Sequence, residues 1–162
     1  LSQEKPEMSD WKLPREGGCL CGKVRFRITA PPLLTMACHC KGCQRLTASA
    51  FSLSAAVPSG GFELVQGEPV IGALHGPHKH YFCDYCMSWL FTRPDGMDWF
   101  VNVRAPMLDD PAGFSTPYVE TAAAEKLPWV KTPAARSFDG FPDLEAMTSA
   151  VEEFATLGGP AS

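Results

Sequence analysis

Hydrophobic and polar positions alternate in short stretches along most of the chain, which predicts β-strands. The clearest example covers residues 23–28, where Val24, Phe26 and Ile28 alternate with three basic residues. Alternation of this kind is typical of a strand that buries one face. Comparable stretches predict further strands at residues 33–37, 51–57, 62–65, 70–74, 79–82, 89–92 and 99–103.

A long helix is predicted near the C-terminal end, over residues 144–157. Four apolar side chains recur there at nearly helical spacing: Leu144, Met147, Val151 and Phe154. Residues 44–49 predict a short helical turn. Fifteen prolines and fourteen glycines are spread along the chain, and they disfavour other long helices. The predicted fold class is therefore mainly β with a C-terminal helix.

The chain is predicted to form one domain behind a flexible tail. Residues 1–16 are polar and contain two prolines, which predicts the tail. Residues 17–157 have the usual length of a single domain with its own core. Hydrophobic residues make up 45% of the chain and charged residues 20%, which is typical of a globular protein.

Charge and hydropathy argue against two classes of partner. The net charge is -4, whereas nucleic-acid phosphates favour a basic surface. No apolar run approaches the roughly 18 residues of a membrane-spanning helix. We therefore expect a cytoplasmic protein with neither a nucleic-acid nor a membrane partner. Thiols stay reduced in the cytoplasm, where closely spaced cysteines more often indicate a metal than disulfides.

Seven cysteines fall into three tight groups. They are Cys19 and Cys21, then Cys38, Cys40 and Cys43, then Cys83 and Cys86. Scattered core thiols would not need this spacing. A disulfide framework fits poorly, because seven is odd and a bridge within a Cys-x-Cys pair is strained. The common ferredoxin spacings of iron–sulfur proteins are not found. A zinc ion explains the grouping best.

The ligand count predicts one closed and one open zinc site. Cys83 and Cys86 are spaced as two thiolates of one tetrahedral ion, and a second pair would complete a closed, structural site. Either Cys19 and Cys21 or two of the middle three cysteines could be that pair, and spacing alone does not decide between them. Three remaining thiolates would leave the fourth position of their ion free, which is typical of a catalytic zinc.

Three motifs resemble those of one known family, the glutathione-dependent formaldehyde-activating enzymes, which are related to centromere protein V. They are residues 18–26 (GCLCGKVRF), 38–45 (CHCKGCQR) and 82–86 (FCDYC). The resemblance runs from about residue 17 to at least residue 129. It implies an Mss4-like β-tent of small antiparallel sheets. Met87 and Ala48 stand where the family usually has glycine.

The resemblance also implies the ligand sets and the reaction. The structural zinc would be held by Cys19, Cys21, Cys83 and Cys86. The second, catalytic-type zinc would be held by Cys38, Cys40 and Cys43. The family reaction adds glutathione to formaldehyde and gives S-(hydroxymethyl)glutathione, so the protein would be a carbon–sulfur lyase with a small thiol and an aldehyde as partners.

The residues themselves indicate which ligand an open three-thiolate site prefers. Three thiolates on one zinc carry a formal charge of -1, which favours a soft fourth ligand such as an incoming thiol. Lys41 and Arg45 flank Cys43 and are candidate cations for the carboxylates of glutathione, although solvated surface charges explain them equally well. His39, between two ligands, is predicted to point away from the metal. Because thiols add to aldehydes without a catalyst, a non-catalytic zinc- or thiol-binding module or sensor is the alternative.

Overall fold

The computed structural model of the chain describes residues 8–159, in which β-strands dominate. The strands are β1 (Arg15–Gly18), β2 (Arg25–Ile28), β3 (Leu34–Cys38), β4 (Ser52–Pro58), β5 (Phe62–Gln66), β6 (Val70–Gly72), β7 (His78–Phe82), β8 (Trp89–Pro94), β9 (Phe100–Arg104), β10 (Val119–Thr121) and β11 (Arg136–Ser137). The α-helices are α1 (Lys41–Thr47) and α2 (Leu144–Leu157). The prediction of a mainly β fold with a C-terminal helix is confirmed.

The strands of this described part form two sheets. The smaller sheet has the order β1-β2-β5 and is antiparallel. The larger sheet has the order β11-β10-β3-β4-β9-β8-β7-β6. It is antiparallel except at β10, which runs parallel to both β3 and β11. The larger sheet is therefore mixed, because the chain after β9 returns to begin β10 in the direction of β3.

The two sheets and helix α2 share one hydrophobic core. The alternation in β2 has the predicted effect, since Phe26 and Ile28 are fully buried while Arg25 and Arg27 are half-exposed. Strand β8 buries Leu90 and Phe91 on successive positions, so both of its faces are covered. The core also includes Phe154 from α2. Asp143 is the N-cap of helix α2, and its side chain accepts a hydrogen bond from the amide of Ala146.

The prediction of a flexible tail over residues 1–16 is wrong for residues 8–16. A 3-10 helix covers Met8–Trp11, and the Trp11 side chain is 3% exposed. Its ring packs against Phe114 at 5.1 Å and against Phe154 at 6.0 Å between centroids. The prediction failed because the segment is polar on average, although it contains one large aromatic side chain that packs into the core. Residues 1–7 lie outside the described residues.

Three short strands were not expected from the sequence, namely β1, β10 and β11. Helix α1 begins three residues before the helical turn expected at residues 44–49. In the described part of the chain, no helix is both long enough and apolar enough to cross a bilayer.

Candidate metal centres and the cavity between them

The first group of thiols joins two loops that are far apart in the chain. Cys19 and Cys21 lie in the turn between β1 and β2, and Cys83 and Cys86 lie in the turn between β7 and β8. All four sulfur atoms lie within 4.8 Å of one another. The sulfur of Cys21 is 3.6 Å from that of Cys19 and 3.8 Å from that of Cys83. Of the two pairs left open by spacing, the structure thus brings Cys19 and Cys21 to Cys83 and Cys86.

Hydrogen bonds to the sulfur atoms show how the loops hold these thiols. The amide of Val24 donates to Cys19 Sγ at 3.2 Å, and the amide of Tyr85 donates to Cys83 Sγ at 3.5 Å. The Ser88 hydroxyl lies 3.3 Å from Cys86 Sγ. Donors aimed at sulfur stabilise the thiolate form, which is the form that binds a metal.

The donor set of this group fits a divalent cation. Burial raises the pKa of Cys86, but hydrogen bonds from Ser88 outweigh it and lower the pKa to about 5. For Cys21, a hydrogen bond from the amide of Lys23 lowers the pKa, but burial and the neighbouring thiols raise it to about 11. Four thiols this close do not all ionise by themselves, because each new thiolate repels the others. A bound zinc ion would remove that cost.

The second group lies where β3 runs into helix α1. Cys38 ends β3, Cys40 caps α1 and Cys43 is in its first turn, where its amide donates to Cys40 Sγ at 3.3 Å. The three half-buried sulfurs lie within 4.8 Å of one another. A hydrogen bond from Cys43 lowers the pKa of Cys38 to about 5, and the same contact raises the pKa of Cys43. This set also fits a soft cation, with three protein ligands instead of four.

Behind the second group, His39 is anchored by a buried carboxylate. The His39 side chain is fully buried, and its Nε2 lies 2.9 Å from Glu120 Oε2. Glu120 also accepts hydrogen bonds from Lys126 (3.0 Å), Thr132 (2.7 Å) and Ser137 (2.9 Å). Burial raises the pKa of Glu120, but these hydrogen bonds outweigh it and lower the pKa to about 2. The ionised carboxylate thus fixes the segment between two of the three thiols to β10.

The two predicted cations, Lys41 and Arg45, have exposed side chains on α1. The backbone amide of Lys41 donates to Glu125 Oε1 at 3.3 Å. Neither residue lines the cavity described next.

A cavity of about 450 Å³ lies between the two thiol groups. Its walls are Leu46, Thr47, Ser49, Phe51, Ser52, Leu53, Met87, Ser88, Trp89, Arg104, Pro106 and Met107. Thr47 and Ser52 connect it to the three-thiol group, because Thr47 Oγ1 donates to the carbonyl of Cys43 at 2.8 Å and the Ser52 side chain lies close enough to Cys43 to lower the pKa of that thiol. Ser88 connects it to the four-thiol group through Cys86. A ligand in this cavity would therefore lie beside the open group.

The cavity contains a buried cation that the sequence did not reveal. Arg104 is 7% exposed, and its guanidinium carbon lies 3.8 Å from the centroid of the Trp89 ring. Its Nη1 donates to Ser52 Oγ at 3.3 Å and its Nη2 donates to Thr92 Oγ1 at 2.9 Å. Burial lowers the pKa of Arg104 to about 10, against the opposing effect of the nearby cysteines, so the side chain stays charged at neutral pH. Glu120 was not predicted either, because the sequence alone does not distinguish a buried charged residue from an exposed one.

The mainly β fold and the two thiol groups define a protein with two sites that could each hold a metal ion, one with four sulfur donors and one with three. Comparison with known families agrees with this class. The model of the glutathione-dependent formaldehyde-activating enzymes matches residues 14–123, and the chain belongs to that family.

Two individual proteins are similar to this chain. One, from Halomonas elongata, carries the provisional name of glutathione-dependent formaldehyde-activating enzyme. It is 29% identical over 139 residues, which are 79% of this chain and 88% of the relative. The other is a crystal structure of a Rhodobacter sphaeroides protein, which is 19% identical with a TM-score of 0.47 over 58% of this chain and 87% of that chain.

Proposed function

We propose that this protein is a zinc-dependent carbon–sulfur lyase that forms or cleaves the S-hydroxymethyl adduct of glutathione or a related thiol. Family membership supports the reaction class. The observation that carries the proposal is the half-buried group of Cys38, Cys40 and Cys43 beside a cavity large enough for a small-molecule ligand. In the addition, the thiol sulfur bonds to the aldehyde carbon and the thiol proton goes to the aldehyde oxygen, so no redox partner is needed.

The seven cysteines would divide between two zinc ions. Cys19, Cys21, Cys83 and Cys86 would hold a structural ion, and Cys38, Cys40 and Cys43 would hold the second. When bound by three thiolates, zinc offers an open position for a soft ligand and lowers the pKa of a thiol that takes it.

The protein residues around the open group would then bind and orient the substrate. Phe51, Leu53 and Met107 give the cavity apolar walls, which keep water away from a small bound aldehyde. The contact between His39 and Glu120 would hold the thiol-bearing segment still while ligands exchange. In this proposal Lys41 and Arg45 remain candidates for contacts with the part of the thiol substrate that extends out of the cavity.

One observation favours a non-catalytic thiol-binding module or sensor as the alternative. The described residues that line the cavity include no histidine, aspartate or glutamate. A general acid or base that titrates near neutral pH is therefore not provided by those walls. Under this alternative the site binds the thiol without accelerating its reaction with an aldehyde.

Cobalt substitution tests the proposed role of the open group. Thiolate-to-cobalt charge transfer reports the number of sulfur ligands, so glutathione should raise this absorption. S-methylglutathione, which lacks the thiol, should not. The increase should be lost in Cys40→Ser, while the absorption of the four-cysteine group stays constant. If both compounds act alike on the wild type, a thiol does not bind the metal and the proposal fails.

Turnover separates the enzyme from the binding module. The enzyme should form or cleave S-(hydroxymethyl)glutathione faster than the uncatalysed reaction under the same conditions, and Cys40→Ser should not. A normal cobalt signal together with an uncatalysed rate would favour the module.

A further inference from the structure

Arg104 is a buried cation for which the described part of the chain provides no carboxylate partner. The ion pairs of residues 8–159 involve other basic residues. The groups that contact Arg104 directly are two hydroxyl groups and the face of Trp89, all of them neutral. The thiols of the open group act on its charge when they are ionised, but they do not bond to it. A ligand carboxylate in the cavity would therefore meet a charged arginine that no carboxylate of the described residues neutralises.

The cavity wall around Arg104 also indicates an anion. In the described residues, Nε of Arg104 and Nε1 of Trp89 are both buried without a hydrogen-bond partner. Both nitrogen atoms carry hydrogen and can only donate. Both side chains line the same cavity. Arg104 thus places a cation at the cavity wall, while the two unused nitrogen atoms are themselves buried behind it. A cation at the wall matches a ligand that carries a negative charge and accepts hydrogen bonds, and a carboxylate has both properties.

The position of Arg104 connects this wall to the three-thiol group. Its Nη1 donates to the Ser52 hydroxyl at 3.3 Å, and the Ser52 side chain lies close enough to Cys43 to lower the pKa of that thiol. A single side chain therefore separates the guanidinium from a thiol of the open group. A small ligand with its sulfur beside Cys43 could place a carboxylate near Arg104 inside a cavity of about 450 Å³.

We propose that Arg104 binds a carboxylate of the thiol substrate in the cavity between the two cysteine groups and is therefore a residue that determines substrate specificity. This inference rests on the proposed function for the claim that the ligand is a thiol. It assigns the recognition of one carboxylate to a buried side chain instead of the exposed Lys41 or Arg45. Ion pairs at exposed positions contribute little, whereas a buried pair discriminates strongly against a neutral analogue.

Calorimetric titration with S-methylglutathione and its diethyl ester tests the inference on the zinc-loaded protein. Neither compound has a thiol, so binding does not depend on sulfur reaching the metal. The wild type should bind the free acid at least about tenfold more tightly than the ester, because the ester cannot form a charge-assisted hydrogen bond. Arg104→Met, which keeps much of the side-chain volume, should lose this preference, and Arg104→Lys should keep part of it.

Arg27→Met and Lys79→Met serve as controls for a general loss of positive charge, because neither residue lines the cavity, and both should keep the preference. Equal binding of acid and ester by the wild type would overturn the inference even if Arg104→Met fails to fold, and so would binding of neither compound at millimolar concentration. A preference that survives in Arg104→Met, or that is lost in Arg27→Met, would also overturn it. The failure of the proposed function is a separate result, because it appears as a cobalt absorption that glutathione does not raise.

Discussion

Replacing Glu120 with glutamine removes one charge from a buried network while it keeps the size of the side chain. The carboxylate is 6% exposed and contacts four side chains, of which His39 and Lys126 lie closest to the thiol-bearing segment. Its pKa is lowered from an ordinary value of 4.5 to about 2. Such a difference corresponds to about 3 kcal/mol of unfolding free energy at neutral pH.

The sign of the pH dependence follows from the direction of that change. A carboxyl group with a lowered pKa in the folded state stabilises the protein fully above its unfolded pKa. This stabilisation is lost as pH falls from about 5 towards 2. Glu120→Gln should therefore be about 3 kcal/mol less stable than the wild type at pH 7. The difference should shrink as acid neutralises the wild-type side chain.

Urea unfolding at pH 7, 5, 4 and 3 measures this difference, as far down as the wild type stays folded. Taking wild type minus variant at each pH would cancel the effect of acid on any metal bound at the cysteine groups, because both proteins share that effect. Glu63→Gln is the matched control, since Glu63 is 62% exposed and pairs with Arg27 at 3.7 Å. It should change stability by less than about 1 kcal/mol. The reasoning is refuted if Glu120→Gln matches the wild type at pH 7, or if its deficit is the same at every pH.

Three further predictions concern stability. The four-cysteine group ties together chain segments 62 residues apart, and a metal ion bound there would contribute folding free energy on the order of 10 kcal/mol. Cys83→Ser should therefore unfold or aggregate, whereas Cys40→Ser should lower the melting temperature less; equal collapse of the two variants would contradict this. Ala48 has a φ of 50° at an exposed position, so Ala48→Gly should raise the free energy of unfolding by about 1 kcal/mol. Ala146→Gly in helix α2 should lower it by about as much, and the urea midpoints of the two variants measure both changes. Trp11→Ala should cost about 3–5 kcal/mol of unfolding free energy, and a variant as stable as the wild type would show that the N-terminal segment does not support the core.

The parts of the fold that depend on local pattern were predictable from the sequence. The alternation of residues 23–28 predicted β2, and the helical spacing of residues 144–157 predicted α2. The tight cysteine spacing predicted that the thiols would gather in one group of four and one of three, whereas the family resemblance implied which pair joins Cys83 and Cys86. Strand β1 was missed because its sequence Arg-Glu-Gly-Gly lacks an apolar face, and β11 because two residues carry no periodicity.

The parts that depend on distant contacts were not predictable. The parallel pairing of β10 depends on the path of the chain over many preceding residues, which leaves no local pattern. Arg104 and Glu120 are charged residues at the end of one strand and inside another, and nothing in their neighbours marks them as buried. The left-handed conformation of Met87, with a φ of 58°, agrees with the glycine that the family usually has there.

The contact between Trp11 and Phe154 has a consequence for how this chain can be shortened. Both residues lie outside residues 14–123, the segment that matches the family. Trp11 covers Phe114, and Phe154 covers Tyr118, with ring centroids 5.1 Å and 5.4 Å apart. A gene trimmed to the matched segment would encode every cysteine but would leave those two rings without their cover. For protein engineering, the segment around Trp11 and helix α2 therefore cover the same part of the core, and removal of either one should expose it.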